Sequence, residues 1–279
     1  MTPLEFAFAA FALAVVAGIL GALLGLGGGI IVVPALTLVL GVDIRYAIGA
    51  SIVAVIATSS GSALRFLQEG LVNVRLALFL ELATVSGALV GATLAGVVDH
   101  RVLYFVFSTV AVTIGVLMLR PGRGPAEVSA EAGALSRRLK LGGTCVDETS
   151  GMAQPYEVTR TPLGLTMCAA AGGVSGLLGV GGGFLKVPAM NVAMGVPIKV
   201  ATATSNFMIG ITAAASAGVF FHRGDIAPCV AAPVAIGVVA GALVGARLHR
   251  RIPAGRLRFV FVVVLAWIAI SMFLKGLAS

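Results

Sequence analysis

The sequence predicts an all-α polytopic membrane protein made of two inverted repeats, each a glycine-broken, re-entrant helical segment followed by three transmembrane helices. Three observations predict it. Hydrophobic residues make up 59% of the 279 residues and charged residues 11%, with a mean hydropathy of +1.08; soluble domains carry about 25% charged residues, so too few charges are present to cover a water-facing surface. The chain also repeats itself. Residues 18–36 (GILGALLGLGGGIIVVPAL) and 172–190 (GGVSGLLGVGGGFLKVPAM) lie 154 positions apart and share ten of nineteen residues. The register then holds without a gap: Ile44 falls on Ile198, Ser51 on Ser205, Gly70 on Gly224, and GALVGA at 87–92 on GALVGA at 241–246. Finally, Lys and Arg are distributed unevenly among the loops.

Apolar spans run over 4–40, 44–66, 73–98, 102–119, 162–195, 198–221, 226–248 and 256–275. They are helical, because an open strand cannot satisfy its backbone in lipid. The N-terminal MTPLEF has no positive n-region, so its apolar stretch is expected to stay as structure. Spans 4–40 and 162–195 are too long for one crossing, since about 20 residues suffice. Each is cut by a triplet, Gly27-Gly28-Gly29 or Gly181-Gly182-Gly183, and each carries a proline five residues further on, Pro34 or Pro188. Glycine frees the backbone from helical angles and proline removes a donor. GxxxG in both GALVGA copies reads as a close-packing face. The organisation is therefore a first transmembrane repeat (1–119), a polar, flexible linker with little core of its own (120–161), and a second repeat (162–279).

Charge decides how the repeats are related. If each broken segment enters and returns, each repeat crosses three times and the copies are antiparallel; 14 Lys and Arg then lie on one side and four on the other, with Lys186 in the membrane. If each segment crosses once, the copies are parallel and the split is 10 to 8. Positive charge collects in the cytoplasm, which selects inverted repeats with a cytoplasmic linker and both termini outside. The same rule accounts for the net charge of +8, so nucleic acid is not expected as a partner. Cys145, Cys168 and Cys229 have no metal-ligand spacing, and no Ser-His-Asp order, His-Glu-x-x-His or nucleotide-binding motif occurs. The expectation is a chain with no enzymatic activity, no metal and no cofactor, with the lipid bilayer and a small anion as its partners.

Inverted repeats bring their broken segments face to face near the middle of the bilayer. N–H groups freed at helix starts attract anions. The candidate substrate-binding residues are Gly27, Gly28, Gly29 and Pro34 with Gly181, Gly182, Gly183 and Pro188; alternatively the glycines only permit tight packing. Lys186 stands where the first repeat has Val32. A cation inside the membrane costs at least about 2.5 kcal/mol, so it either holds the anion or neutralises an acid. Glu81, opposite Ala235 in the register, is the candidate coupling residue and would carry a proton, or it is the counter-ion of Lys186. Ser51, Thr204, Ser205 and Asn206 offer further donors, unless their side chains bond back to their own helix. These features fit a secondary transporter of small oxyanions; a passive anion channel is the alternative.

The twin GLLGLGGGxxxVP and GLLGVGGGFLKVP openings, the run ATATSNFMIGITAAASA and the loop HRGDI resemble the sulfite exporter TauE/SafE family of membrane transporters. The likeness spans residues 8–275 apart from the linker. It implies a bacterial cytoplasmic (inner) membrane protein that moves sulfur-containing anions such as sulfite or organosulfonates, commonly outward. The family signature falls on Gly25, Gly27, Gly28, Gly29 and Pro34, on Gly179, Gly181, Gly182, Gly183 and Pro188, and on Thr204, Ser205 and Asn206. The first repeat has Ala50-Ser51-Ile52 at the last position and lacks the asparagine.

Overall fold

A computed structural model describes residues 2–24, 28–119, 134–146, 153–249 and 254–278; Gly27 lies outside them. In the first half, α1 (Pro3–Leu24) is followed by a short α2 (Gly29–Pro34) that widens into a π-helical turn (Ala35–Val39), then by α3 (Ile44–Gln68), α4 (Val74–Val97) and α5 (His100–Leu119). The second half repeats the order: α7 (Thr161–Leu178), α8 (Gly183–Pro188) with its π turn (Ala189–Ala193), α9 (Ile198–Arg223), α10 (Pro228–His249) and α11 (Ala254–Ala278). Among the described residues, α1, α3, α4, α7, α9 and α10 are long and apolar enough to cross a membrane. Their outward faces carry exposed Phe8, Leu82, Val97, Phe221 and Ile236, an apolar coat suited to lipid rather than water.

Each glycine triplet turns the chain back on itself. Gly28 and Gly182 take φ of 73° and 68° at the starts of α2 and α8, a left-handed conformation that glycine enters without steric cost. The returning arm lies antiparallel on the entering one. Near the tip Gly28 sits by the Ala17 carbonyl; further back Val32, Ala35 and Leu36 face Ala10, Leu13 and Ala14. The second half copies this, with Gly182 against Ala171 near the tip and Met194 against Gly164 further back. The prolines close α2 and α8 where the helix widens. Proline lacks an N–H and its ring crowds the carbonyl one turn back, which a π turn accommodates.

Close contacts fix the direction of each helix. Arg45 Nη2 donates to Val98 O at 3.3 Å and His100 Nε2 lies 3.3 Å from Asp43 Oδ2, so α4 ends beside the start of α3. α4 and α7 run parallel: Gly172 meets Thr84, Gly87 meets Ala169, Gly176 meets Ala88 and Gly91 meets Gly173, each so closely that a Cβ would overlap a carbonyl oxygen. α1 and α10 do the same through Gly18 with Val238 and Gly241 with Val15. α3 leaves from the side where α1 begins and α4 returns there, so α7, which follows the direction of α4, runs against its counterpart α1. The two halves thus lie in opposite senses, each entering helix packed on the third long helix of the other half. Gly87, Gly91 and Gly241 form the close-packing faces read from GALVGA.

The linker is more ordered than the flexible segment with little core of its own that its composition suggests. Its described parts form α6 (Ala134–Leu139) and a two-stranded antiparallel hairpin, β1 (Gly143–Val146) with β2 (Ala153–Tyr156), in which Gly143 pairs with Tyr156. A lone two-stranded hairpin is marginal in water. This one is held because Leu141, Tyr156 and Val158 are buried in one cluster with Leu76, Met190, Met194 and Val196. Asn73 Nδ2 donates to Leu141 O and to the Tyr156 hydroxyl, both at 2.8 Å. Three apolar side chains in a polar stretch are enough to dock it on the start of α4. The linker docks at the end of the bundle opposite both termini, since Lys275 Nζ donates to Thr37 O and Arg101 Nε to Gly276 O at the other end.

Candidate functional site

The tips of the two hairpins meet in the centre of the bundle. Ser51 Oγ on α3 contacts Gly29 O at 3.3 Å and Gly179 O at 2.8 Å, one carbonyl from each half. Gly29 and Gly183 are packed so tightly that a Cβ would press on Val55 and Ser51 in the first case, at 2.8 and 2.9 Å, and on Ile209 at 2.6 Å in the second. The earliest N–H groups to bond within each short helix are those of Ile31 and Leu185. The N–H groups of Gly29, Ile30, Gly183 and Phe184 precede them and have no intrahelical acceptor.

Ser205 occupies the place of Ser51 in the second half, yet its environment differs. Its Oγ is buried, with 1% of the residue exposed and no hydrogen-bond partner, and it lies 3.4 Å from where a Gly183 Cβ would stand. A buried hydroxyl without a partner costs about 1–3 kcal/mol. The unpaired Ser205 hydroxyl thus stands beside backbone N–H groups that have no intrahelical acceptor.

A second cluster adjoins the tip of the second hairpin. Lys186, on α8 one turn past Gly182, is completely buried, and its Nζ donates to Thr212 Oγ1 at 2.7 Å. Thr212 Oγ1 in turn lies 2.5 Å from Glu81 Oε1 and 2.9 Å from Met208 O. Glu81 Oε2 is buried without a partner. The hydroxyl has one proton, so the chain runs from ammonium through hydroxyl to carboxylate in one direction. Lys186 and Glu81 are therefore joined through Thr212 rather than by a direct ion pair.

The other candidates lie elsewhere. Thr204 Oγ1 accepts from the Asn73 backbone N–H at 3.1 Å, which ties α9 to the loop before α4. Asn206 Nδ2 donates to Thr202 O at 3.0 Å, on its own helix. Pro34 and Pro188 stand at the far ends of α2 and α8 and shape the returning arms. Gly28, Gly29, Gly181, Gly182, Gly183, Ser51 and Ser205 are brought together at the tips, with Lys186 and Glu81 beside them. The linking role of Thr212 escaped sequence reading. Its signal is spacing: it lies seven residues after Ser205, two turns on along one helix face.

The model of the sulfite exporter TauE/SafE family matches residues 10–272. The chain is similar to the probable membrane transporter protein YunE of Bacillus subtilis (strain 168), at 26% identity over 275 residues, covering 96% of this chain and 97% of that one. It is similar to a probable membrane transporter protein of Xylella fastidiosa (strain 9a5c), at 30% identity over 261 residues, covering 92% and 91%. No solved structure matches.

Proposed function

Because this chain belongs to the sulfite exporter TauE/SafE family of membrane transporters, we propose that it carries small sulfur-containing anions, such as sulfite or organosulfonates, out across the bacterial cytoplasmic membrane. The observation that carries this reading is the meeting of the two tips with the unpaired Ser205 hydroxyl among free backbone N–H groups. Those donors suit an oxyanion, and Lys186 supplies the nearby positive charge. The linker is cytoplasmic in this reading, in keeping with the 14 to four division of basic residues. An inside-negative potential drives an anion outward by about 2.3 kcal/mol per charge per 100 mV, so export needs no nucleotide.

Glu81 is the coupling residue of this scheme. An anion held at Lys186 competes with Glu81 for the same cation, and a proton on Glu81 relieves the repulsion. The test is flux through purified protein in liposomes under set voltage and pH, comparing sulfite, sulfate, thiosulfate and an alkylsulfonate. Sulfite or alkylsulfonate flux that is lost in Gly182→Val, while the variant still folds, is the expected result. Flux unchanged in folded Gly182→Val contradicts the site.

A further inference from the structure

The two halves match in sequence but differ at their outer ends. At the end beside the termini, the start of α3 is sealed. Ile44 is 0% exposed, Ile48 and Phe220 are buried, and Gly49 packs so closely under Asp225 that a Cβ would overlap the Asp225 carbonyl oxygen. A clasp covers the contact: Arg223 pairs with Asp225, donates through Nη1 to Ala92 O at 2.7 Å, and lies 4.7 Å over the Phe220 ring. Gly96 leaves room for that guanidinium, since a Cβ there would overlap it.

The register places the same elements at the linker end, where they stand apart. Ile198, the counterpart of Ile44, is 55% exposed. A cavity of about 250 Å³ lies between Phe66 and Leu71 on one side and Ile198, Lys199, Thr202 and Ala203 on the other. These six residues are the counterparts of Phe220, Asp225, Ile44, Arg45, Ile48 and Gly49. The clasp residues are not repeated there: Leu71 stands in the place of Asp225, and Glu69, in the place of Arg223, pairs with Arg65 of its own helix at 2.8 Å.

Resting on the transport reading above, we infer that the chain stands open to the linker side and closed to the other. The cavity is the entry to the central site, and the Gly49–Asp225 contact with its Arg223 clasp is the shut gate. Transport then requires the two ends to exchange conformations. Gly49 and Ala203 set the balance between them. Backbone can approach backbone this closely only where no side chain intervenes. Glycine permits the seal at one end, and the Ala203 methyl obstructs the same seal at the other, so the resting state is written into one pair of residues.

Thiol labelling tests this without substrate. Cys145, Cys168 and Cys229 are replaced by alanine, and Thr202→Cys or its counterpart Ile48→Cys is introduced. An impermeant maleimide is applied to vesicles of either orientation, with Arg137→Cys in a parallel sample marking the linker face. Thr202→Cys is expected to react from the linker face only, and Ile48→Cys from neither. Adding Gly49→Ala, or Arg223→Gln as a milder loosening of the gate, is expected to raise Ile48→Cys labelling from the opposite face at least about tenfold, as a state populated to a few percent becomes common. Thr202→Cys labelling then slows. Ready labelling of Ile48→Cys with the gate intact, shielding of Thr202→Cys from the linker face, or no change with either folded gate variant overturns the inference. A chain that labels as expected but moves no sulfite counts against the transport reading alone.

Discussion

Ser51 and Ser205 stand at equivalent positions on equivalent helices, yet one is bonded and the other is not. Ser51 joins the carbonyls of Gly29 and Gly179 and so staples the two hairpin tips. Ser205 is as deeply buried and has no partner. The difference extends to their neighbours. Val32 and Ala235 in the register correspond to Lys186 and Glu81, so this buried cation and acid have no charged counterparts in an otherwise matched core. What the halves share is backbone: the turning glycines, the prolines and the glycine faces that let helices touch. What they do not share is chemistry. Symmetry builds the scaffold here, and departures from it provide the donor, the cation and the acid.

The largest effect should come from breaking the shared part. Gly172→Val drives a branched side chain into the Thr84 carbonyl across the α4–α7 contact. Overpacking of this kind costs about 1–3 kcal/mol or more, and a rigid backbone neighbour puts it at the upper end. Loss of the monodisperse peak in detergent chromatography is the expected readout.

The unshared part can be broken in a way that separates folding from function. Lys186→Met leaves Glu81 facing a low-dielectric core alone, which costs about 3–5 kcal/mol. Glu81→Gln with Lys186→Met removes both charges and should recover most of the thermal stability lost by Lys186→Met, while sulfite flux stays absent. Recovery of flux along with stability would make the pair a structural element only.

The smallest effects sharpen the contrast between the serines. Ser51→Ala removes the donor to the buried Gly179 carbonyl and should cost about 1–3 kcal/mol, seen as a lower melting temperature. Ser205→Ala removes a hydroxyl that has no partner, so stability should hold or rise slightly, while the apparent affinity for sulfite weakens. Equal stability losses in the two variants would erase the distinction.

Much of the scaffold was legible in the sequence because it depends on local chemistry. Glycine triplets, following prolines and a gap-free duplication mark the hairpins, and the distribution of basic residues gives the relative sense of the halves. Contacts that depend on register between distant helices were not legible. Thr212 and Glu81 are 131 residues apart, and nothing local says that they touch. Asn206 and Thr204 read as donors to a ligand because a buried polar group needs a partner, but the partners are a carbonyl one turn back and a backbone N–H before α4. The docked linker hairpin was hidden by composition, since Leu141, Tyr156 and Val158 are few among polar neighbours.

The two halves meet along α3 and α9, where both hairpins converge. Ser59 and Gly210 lie on that seam, with the Ser59 Cβ 3.6 Å from where a Gly210 Cβ would stand, a separation suited to a disulfide. The decisive measurement is oxidation of the Ser59→Cys/Gly210→Cys chain, with its native cysteines replaced, in nanodiscs, followed by mass spectrometry of the linked peptides. Rapid and nearly complete linkage between the α3 and α9 peptides is the predicted result. Two free thiols after oxidation, in a chain that is still folded, would contradict it.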